Sequence, residues 1–186
     1  ERSVVILTPA TINTVLEKAR WLSTAWKLAK IYLASLDAKP LTDCAPDIVG
    51  LSEETTCYVS MKYFSNNNPL EDYVVHEAAH IFHNCKRETI GLPAATRRRE
   101  WLLEIDYTKR EMFAYSCEAY SRILEFGETR STRSRLLSEL AEGPMPPDER
   151  VEGAEYIDIL REAVAARNGW KRILERCFSV KSPCSV

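Results

Sequence analysis

The chain reads YVVHEAAHIFH from Tyr73 to His83, and this stretch holds all 3 of its histidines. Signals for the start of a helix come just before it. Asn68 can cap a helix, Pro69 can occupy the first helical position, and Glu71 follows at the spacing of a capping box. The sequence therefore predicts a helix that begins near Pro69 and carries all the histidines.

Two histidines of this helix are spaced to share a metal ion. His76 and His80 are at positions i and i+4, so they differ by about 40° around the helix axis and about 6 Å along it. Two imidazoles at this separation can converge on one tetrahedral Zn²⁺, at bond lengths of about 2.0–2.1 Å. Glu77 follows the first histidine and can reach an activated water as a general base without binding the metal. His83 lies about 10.5 Å along the axis from His76, so we expect it to support the site from outside the coordination sphere.

A third ligand has to come from another part of the chain, because no further histidine follows. The downstream candidates are carboxylates and thiols: Cys85, Glu88, Glu100, Glu104, Asp106, Glu111, Cys117 and Glu118. Glu111 and Glu118 share one face of a helix predicted from Thr108 to Phe126. They are about 10.5 Å apart along its axis, so only one of them can bind the metal. Thr108 and Glu111 also fit a capping box, and residue spacing alone leaves the two glutamates nearly equal.

The two motifs together resemble a known superfamily. The segment His76–His80, followed by EMFAYSCE at Glu111–Glu118, is similar to zincin metallopeptidases of the gluzincin class, of the anthrax lethal factor and Mlc titration factor type. The similarity covers roughly residues 56–126. In that class the glutamate of an E-x-F-A segment is the third zinc ligand, so the resemblance implies Glu111. It also implies one Zn²⁺ per chain and a supporting role for Glu118 outside the coordination sphere.

One position departs from the pattern of these relatives. They carry a catalytic tyrosine seven residues before the ligand glutamate, where this chain has Glu104. The nearest tyrosine is Tyr107, four residues before Glu111, and we predict it as the catalytic tyrosine. The alternative is that Tyr107 is a partly buried aromatic residue that anchors the start of the helix.

In the rest of the chain, the sequence predicts strands in the N-terminal part and mostly helices in the C-terminal part. Strands are predicted at Val4–Leu7, Asp47–Leu51 and Thr56–Tyr63, and helices at Pro9–Leu36, Thr132–Glu142, Asp148–Arg167 and Trp170–Phe178. We therefore predict a helix-dominant α+β fold, with a zincin-like core, a small mixed sheet, an active-site helix and C-terminal helices. We expect a single domain over residues 1–186, with a core at about 1–128 and a helical extension at about 129–186.

Composition narrows the possible functions. Hydrophobic residues make up 45% and charged residues 28% of the chain, which is typical of a soluble globular protein. The net charge of −2 argues against nucleic-acid binding, and no apolar run approaches the ~20 residues of a membrane-spanning helix. We expect the 6 cysteines to be mostly free thiols, with disulfides as the alternative. The chain begins at Glu1, so we expect its native N-terminus to be missing, and both a cytoplasmic and a secreted-effector location stay open.

The function predicted from these features is that of a zinc-dependent metalloendopeptidase acting on a protein or peptide substrate. Zinc polarises the scissile carbonyl, and Glu77 takes a proton from the attacking water and delivers it to the leaving amine. Tyr107 or His83 donates a hydrogen bond to the developing oxyanion. The strand Thr56–Tyr63, interpreted as an edge strand, pairs with an extended peptide.

Two other functional classes stay open. One is a zincin-like binding or regulatory module, whose metal site is structural or whose activity is lost. The other is a metal-dependent hydrolase of a different bond, such as a secreted effector or toxin module. Glu77 argues against the first of these, because a structural metal site has no use for a general base.

Overall fold

A computed structural model of the chain describes residues 3–19, 22–38, 50–53, 56–65, 68–85 and 102–178. The chain divides into two compact units, Glu1–Asn68 and Pro69–Val186. Helices dominate the described residues, and a three-stranded mixed sheet accompanies them. The predicted helix-dominant α+β class is therefore confirmed, whereas the single domain over residues 1–186 stays a prediction.

The first unit contains the sheet. Its elements are β1 (Ser3–Leu7), α1 (Ile12–Lys18), α2 (Leu22–Ser35), β2 (Gly50–Glu53), β3 (Thr56–Ser60) and a 3-10 helix (Met61–Ser65). β3 lies between the other two strands, parallel to β1 and antiparallel to β2. Leu7, Leu28 and Ile31 are almost fully buried and form the centre of this unit's hydrophobic core.

The prediction of an edge strand at Thr56–Tyr63 is wrong. The strand ends at Ser60, whose hydroxyl accepts a hydrogen bond from the Lys62 amide (3.1 Å) as the 3-10 helix begins. Because β3 is paired on both sides, it cannot receive an extended peptide by strand addition. Cys57 and Val59 are fully buried in this strand, but Ser60 is buried as well, so burial does not alternate over its whole length.

The prediction of one helix over Pro9–Leu36 is also wrong. The Thr8 amide donates to Thr11 Oγ1 (2.9 Å), and the Thr8 carbonyl accepts from the Ile12 amide (3.0 Å). This segment is therefore a turn, and α1 begins after it. Ala19 then adopts an extended conformation, with ψ of 118°, which ends α1 before α2 starts.

The second unit is helical. It contains α3 (Tyr73–Phe82), a 3-10 turn (Tyr107–Lys109), α4 (Arg110–Phe126), α5 (Arg130–Glu142), α6 (Gly153–Ala165) and α7 (Gly169–Cys177). The helix α4 packs against α3, α6 and α7, and its Met112 and Ile123 share one hydrophobic core with Leu160 and Ile173. The helices predicted as a C-terminal extension therefore share the core of α4.

Capping side chains set where two of these helices begin, and both starts differ from the prediction. Asp72 Oδ1 accepts a hydrogen bond from the Val75 amide (3.1 Å), so α3 begins at Tyr73 rather than near Pro69. The Glu152 carboxylate caps α6 by accepting from two backbone amides of the first turn. Asp148, the predicted start of α6, instead binds Arg150.

Two further expectations concern the state of the cysteines and the presence of a membrane-spanning helix. Cys57, Cys85, Cys117 and Cys177 are buried thiols, as expected, while Cys44 and Cys184 lie outside the described residues. Among the described helices, none combines the length and the apolar composition needed to cross a lipid bilayer.

Candidate metal centre

Three side chains on α3 and α4 bring their donor atoms together. His76 and His80 lie on α3, and Glu111 lies in the first turn of α4. The two Nε2 atoms are 3.3 Å apart, and Glu111 Oε2 lies 3.6 Å from His76 Nε2 and 3.2 Å from His80 Nε2. All three residues are buried, with exposed fractions of 7–9%. His76, His80 and Glu111 can therefore hold a metal ion.

The shape of this triangle fits a tetrahedral ion. Donor atoms at about 2.0–2.1 Å from a tetrahedral Zn²⁺ lie about 3.3–3.4 Å from one another. The three observed separations of 3.2, 3.3 and 3.6 Å are close to that value. Two imidazoles and one carboxylate are also the donor set of catalytic zinc sites, in which a fourth position is left for water or substrate.

Glu118 supports the site through the far side of the first histidine. Its Oε2 lies 3.2 Å from His76 Nδ1, and its Oε1 accepts a hydrogen bond from the Asp72 amide (2.6 Å). With Nε2 left for a metal, the Nδ1–H of His76 donates to Glu118, which fixes the tautomer and the orientation of the ring. Glu118 thus lies one contact away from the donor triangle, and its supporting role at a metal stays a prediction.

His83 holds the second histidine in the same manner. Its Nε2 lies 2.8 Å from His80 Nδ1, and the residue is almost fully buried, with its ring against Phe113. When the Nε2 of His80 faces a metal, its Nδ1–H donates the hydrogen bond to His83 Nε2. His83 follows the last residue of α3 in an extended conformation, so the prediction that one helix carries all three histidines is wrong. It lies behind His80 rather than within the triangle, and its supporting role stays a prediction.

The group is charged even without a metal. Burial opposes ionisation of Glu111, but its contacts with His76 and His80 and the charge of Arg150 outweigh it, so its pKa lies well below the usual range. Burial likewise opposes protonation of His76, but its contacts with the Glu111 and Glu118 carboxylates, with the charge of Glu77, raise its pKa to about 9. The site therefore binds a proton at neutral pH where a metal would bind.

The capping alternative for Glu111 does not describe the structure. The Thr108 amide and hydroxyl both donate to Asp106 Oδ1, at 2.9 and 2.6 Å. The N-cap position of α4 is Lys109, which makes no capping hydrogen bond through its side chain. Glu111 therefore faces the histidines.

The two predicted catalytic side chains occupy different environments. Glu77 is partly exposed on α3, and its charge acts on the adjacent His76. Tyr107 is 61% exposed in the 3-10 turn before α4, and its ring lies 5.1 Å from the Arg110 guanidinium. Tyr107 is thus neither in the triangle nor buried as an anchor, and its catalytic role stays a prediction.

Tyr115 contacts the site but was not among the residues predicted from the sequence. Its ring packs edge-on against His76, with ring centroids 4.4 Å apart. Burial, reinforced by nearby carboxylates that include Glu118, raises the pKa of Tyr115, so its hydroxyl stays protonated at neutral pH. The signal was available, since Tyr115 is at i+4 from Glu111 on the same helical face.

Two arginines and an aspartate were also missed. Glu111 Oε1 lies 3.2 Å from Arg110 Nε and 3.3 Å from an Arg150 terminal nitrogen, and Asp148 binds Arg150. Arg110 adjoins Glu111 in sequence, but Asp148 and Arg150 lie in the segment between α5 and α6. No local pattern in the sequence connects that segment to the histidines.

Comparisons with known proteins returned nothing similar to this chain: no family model matches it, and neither does any curated protein or solved structure. The resemblance to gluzincins therefore rests on the two sequence motifs alone.

The ligand assignment predicts different losses for the two glutamates. Glu111→Gln should weaken zinc binding by orders of magnitude, because one of three donors is lost. Glu118→Gln should weaken it by about 10- to 100-fold, as expected for a residue that orients a ligand. Zinc titrations against one competing chelator at one pH measure both losses. A larger loss in Glu118→Gln than in Glu111→Gln would show that the ligand set is misassigned.

The raised pKa of His76 predicts proton release on metal binding. At pH 7.5 the metal-free His76, with a pKa of about 9, carries a proton that its Nε2 must lose to bind a metal, so binding should release about one proton from this residue. The release should decline as the pH rises through 9, where His76 is already neutral. Calorimetry of zinc binding in buffers of different ionisation enthalpy counts the protons.

Glu118→Gln provides the control for this count. The variant loses one of the carboxylates that raise the pKa of His76, so it should release fewer protons at pH 7.5 than the wild-type chain. Equal release from both chains, or none from the wild type, would contradict the coupling.

Proposed function

We propose that this chain is a zinc-dependent metallopeptidase, with Zn²⁺ held by His76, His80 and Glu111. The observation that carries the proposal is the buried triangle of two Nε2 atoms and one carboxylate oxygen, with sides of 3.2–3.6 Å. A glutamate directly after the first histidine adds the group that peptide hydrolysis needs.

Zinc is the metal that this donor set favours. Imidazole suits several transition metals, but two imidazoles with one carboxylate in a tetrahedral arrangement are typical of catalytic zinc. When bound, zinc would act as a Lewis acid that lowers the pKa of water and polarises the scissile carbonyl. The three protein donors leave a fourth position for that chemistry, which a structural site would fill with a protein side chain.

Glu77 is assigned the proton transfers. Glu77 directly follows His76 in the sequence but is not one of the three donor residues. Its partial exposure leaves its carboxylate accessible to water. As the water attacks the carbonyl carbon, Glu77 accepts its proton, and it then donates that proton to the nitrogen of the leaving amine. The peptide C–N bond breaks as the amine is protonated.

The hydrogen-bond donor to the developing oxyanion is assigned to a tyrosine. Tyr107 is the tyrosine nearest to the position where the relatives carry theirs, and its exposure allows it to reach a bound peptide. Tyr115 is a second candidate, because its ring contacts His76 and its hydroxyl stays protonated. His83 is less suited to this role, since its Nε2 is engaged with His80 Nδ1.

The proposal predicts separate effects on metal binding and on catalysis. Glu77→Gln should keep one zinc per chain and lower the hydrolysis rate by about 10²- to 10⁴-fold, the usual contribution of a general base. Digestion of casein or a fluorogenic peptide library, with and without a zinc chelator, measures the rate, and elemental analysis measures the zinc.

Glu142→Gln is a matched control, because Glu142 is exposed at the end of α5. It should digest the substrates as fast as the wild-type chain. Full activity in Glu77→Gln would remove its assigned role. Absence of chelator-sensitive digestion by the wild-type chain across the library would favour a regulatory module or a hydrolase of another bond.

A further inference from the structure

The two carboxylate oxygens of Glu111 have different partners. Oε2 faces His76 and His80, at 3.6 and 3.2 Å. Oε1 faces Arg110 and Arg150, at 3.2 and 3.3 Å. The two arginine nitrogens belong to positively charged guanidinium groups. The histidine nitrogens that face Oε2 can bind a metal when the rings are neutral.

Each guanidinium group is itself held in place. The Arg150 Nε and one terminal nitrogen bind the two carboxylate oxygens of Asp148, at 2.8 and 2.5 Å. This two-point contact fixes the plane of the Arg150 guanidinium. The guanidinium of Arg110 lies over the Tyr107 ring, 5.1 Å from its centroid. The Oε1 atom therefore meets charges whose positions are set by other residues.

We propose that Arg110 and Arg150 are positioning residues that make Glu111 a ligand through one oxygen only. This inference rests on the proposed metal site. A carboxylate that binds through both oxygens would occupy an additional coordination position, and catalytic zinc sites keep that position open. Turning Oε1 towards the metal would break two ion pairs, so the arginines favour the one-oxygen arrangement.

Cobalt substitution tests the proposal without using activity. Co²⁺ replaces zinc in such sites, and its visible absorption is several-fold stronger in four-coordinate than in five-coordinate geometry. The wild-type chain should show the strong, four-coordinate spectrum. Arg110→Met with Arg150→Met should lower the visible absorption several-fold, because Glu111 is free to bind through both oxygens.

Two further variants keep the test specific. Asp148→Asn should shift the spectrum in the same direction by a smaller amount, because Arg150 keeps its charge but loses the partner that fixes it. Arg135→Met removes an exposed ion pair with Glu139 on α5, away from the site, and should leave the spectrum unchanged. The Arg150 side chain is 44% exposed, so Arg150→Met alone is a suitable single variant if the double variant does not fold.

The outcomes separate this inference from the metal site itself. A weakened spectrum in the arginine variants at full cobalt occupancy supports the positioning role. A spectrum identical to wild type in Arg150→Met and in the double variant, again at full occupancy, overturns it and leaves the metal site standing. A wild-type chain that takes up no cobalt or zinc overturns both.

Discussion

The close packing of α3 against α4 determines where every donor atom of the site lies. Ala114 is fully buried on α4 and leaves room for the neighbouring helix to approach. Glu118, one helical turn along from Ala114, then joins the two helices by binding both the Asp72 amide and the His76 ring. Since Glu111 is on the same helix, the contact that orients His76 also sets the distance to the third donor.

The buried carboxylates of the site need nearby positive charge, which comes from the metal position and from two arginines. In the metal-free chain, a proton on His76 balances the carboxylates of Glu111 and Glu118, which is why its pKa rises to about 9. A bound zinc would take the place of that proton and supply more charge, so metal binding and folding of this unit are coupled. Arg110 and Arg150 add positive charge on the outer side of Glu111.

Local patterns in the sequence predicted the parts of the site that lie within one helix. The four-residue spacing of His76 and His80 places their rings side by side, as predicted, because this depends only on helix geometry. The choice of Glu111 over Glu118 could not be made from spacing and came from the E-x-F-A resemblance. Arg150 was not predictable, because its contact with Glu111 joins segments about 40 residues apart, with no shared periodicity. The central position of β3 was missed for the same reason, since its parallel pairing with β1 is a long-range contact.

The most direct test of the central claim is the zinc content of the purified chain, measured by elemental analysis after equilibration with zinc and removal of excess metal. The wild-type chain should retain one zinc per chain, and His80→Ala, which loses one donor of the triangle, should retain almost none. A wild-type chain without zinc, or a His80→Ala variant with as much zinc as the wild type, would contradict a metal centre at His76, His80 and Glu111.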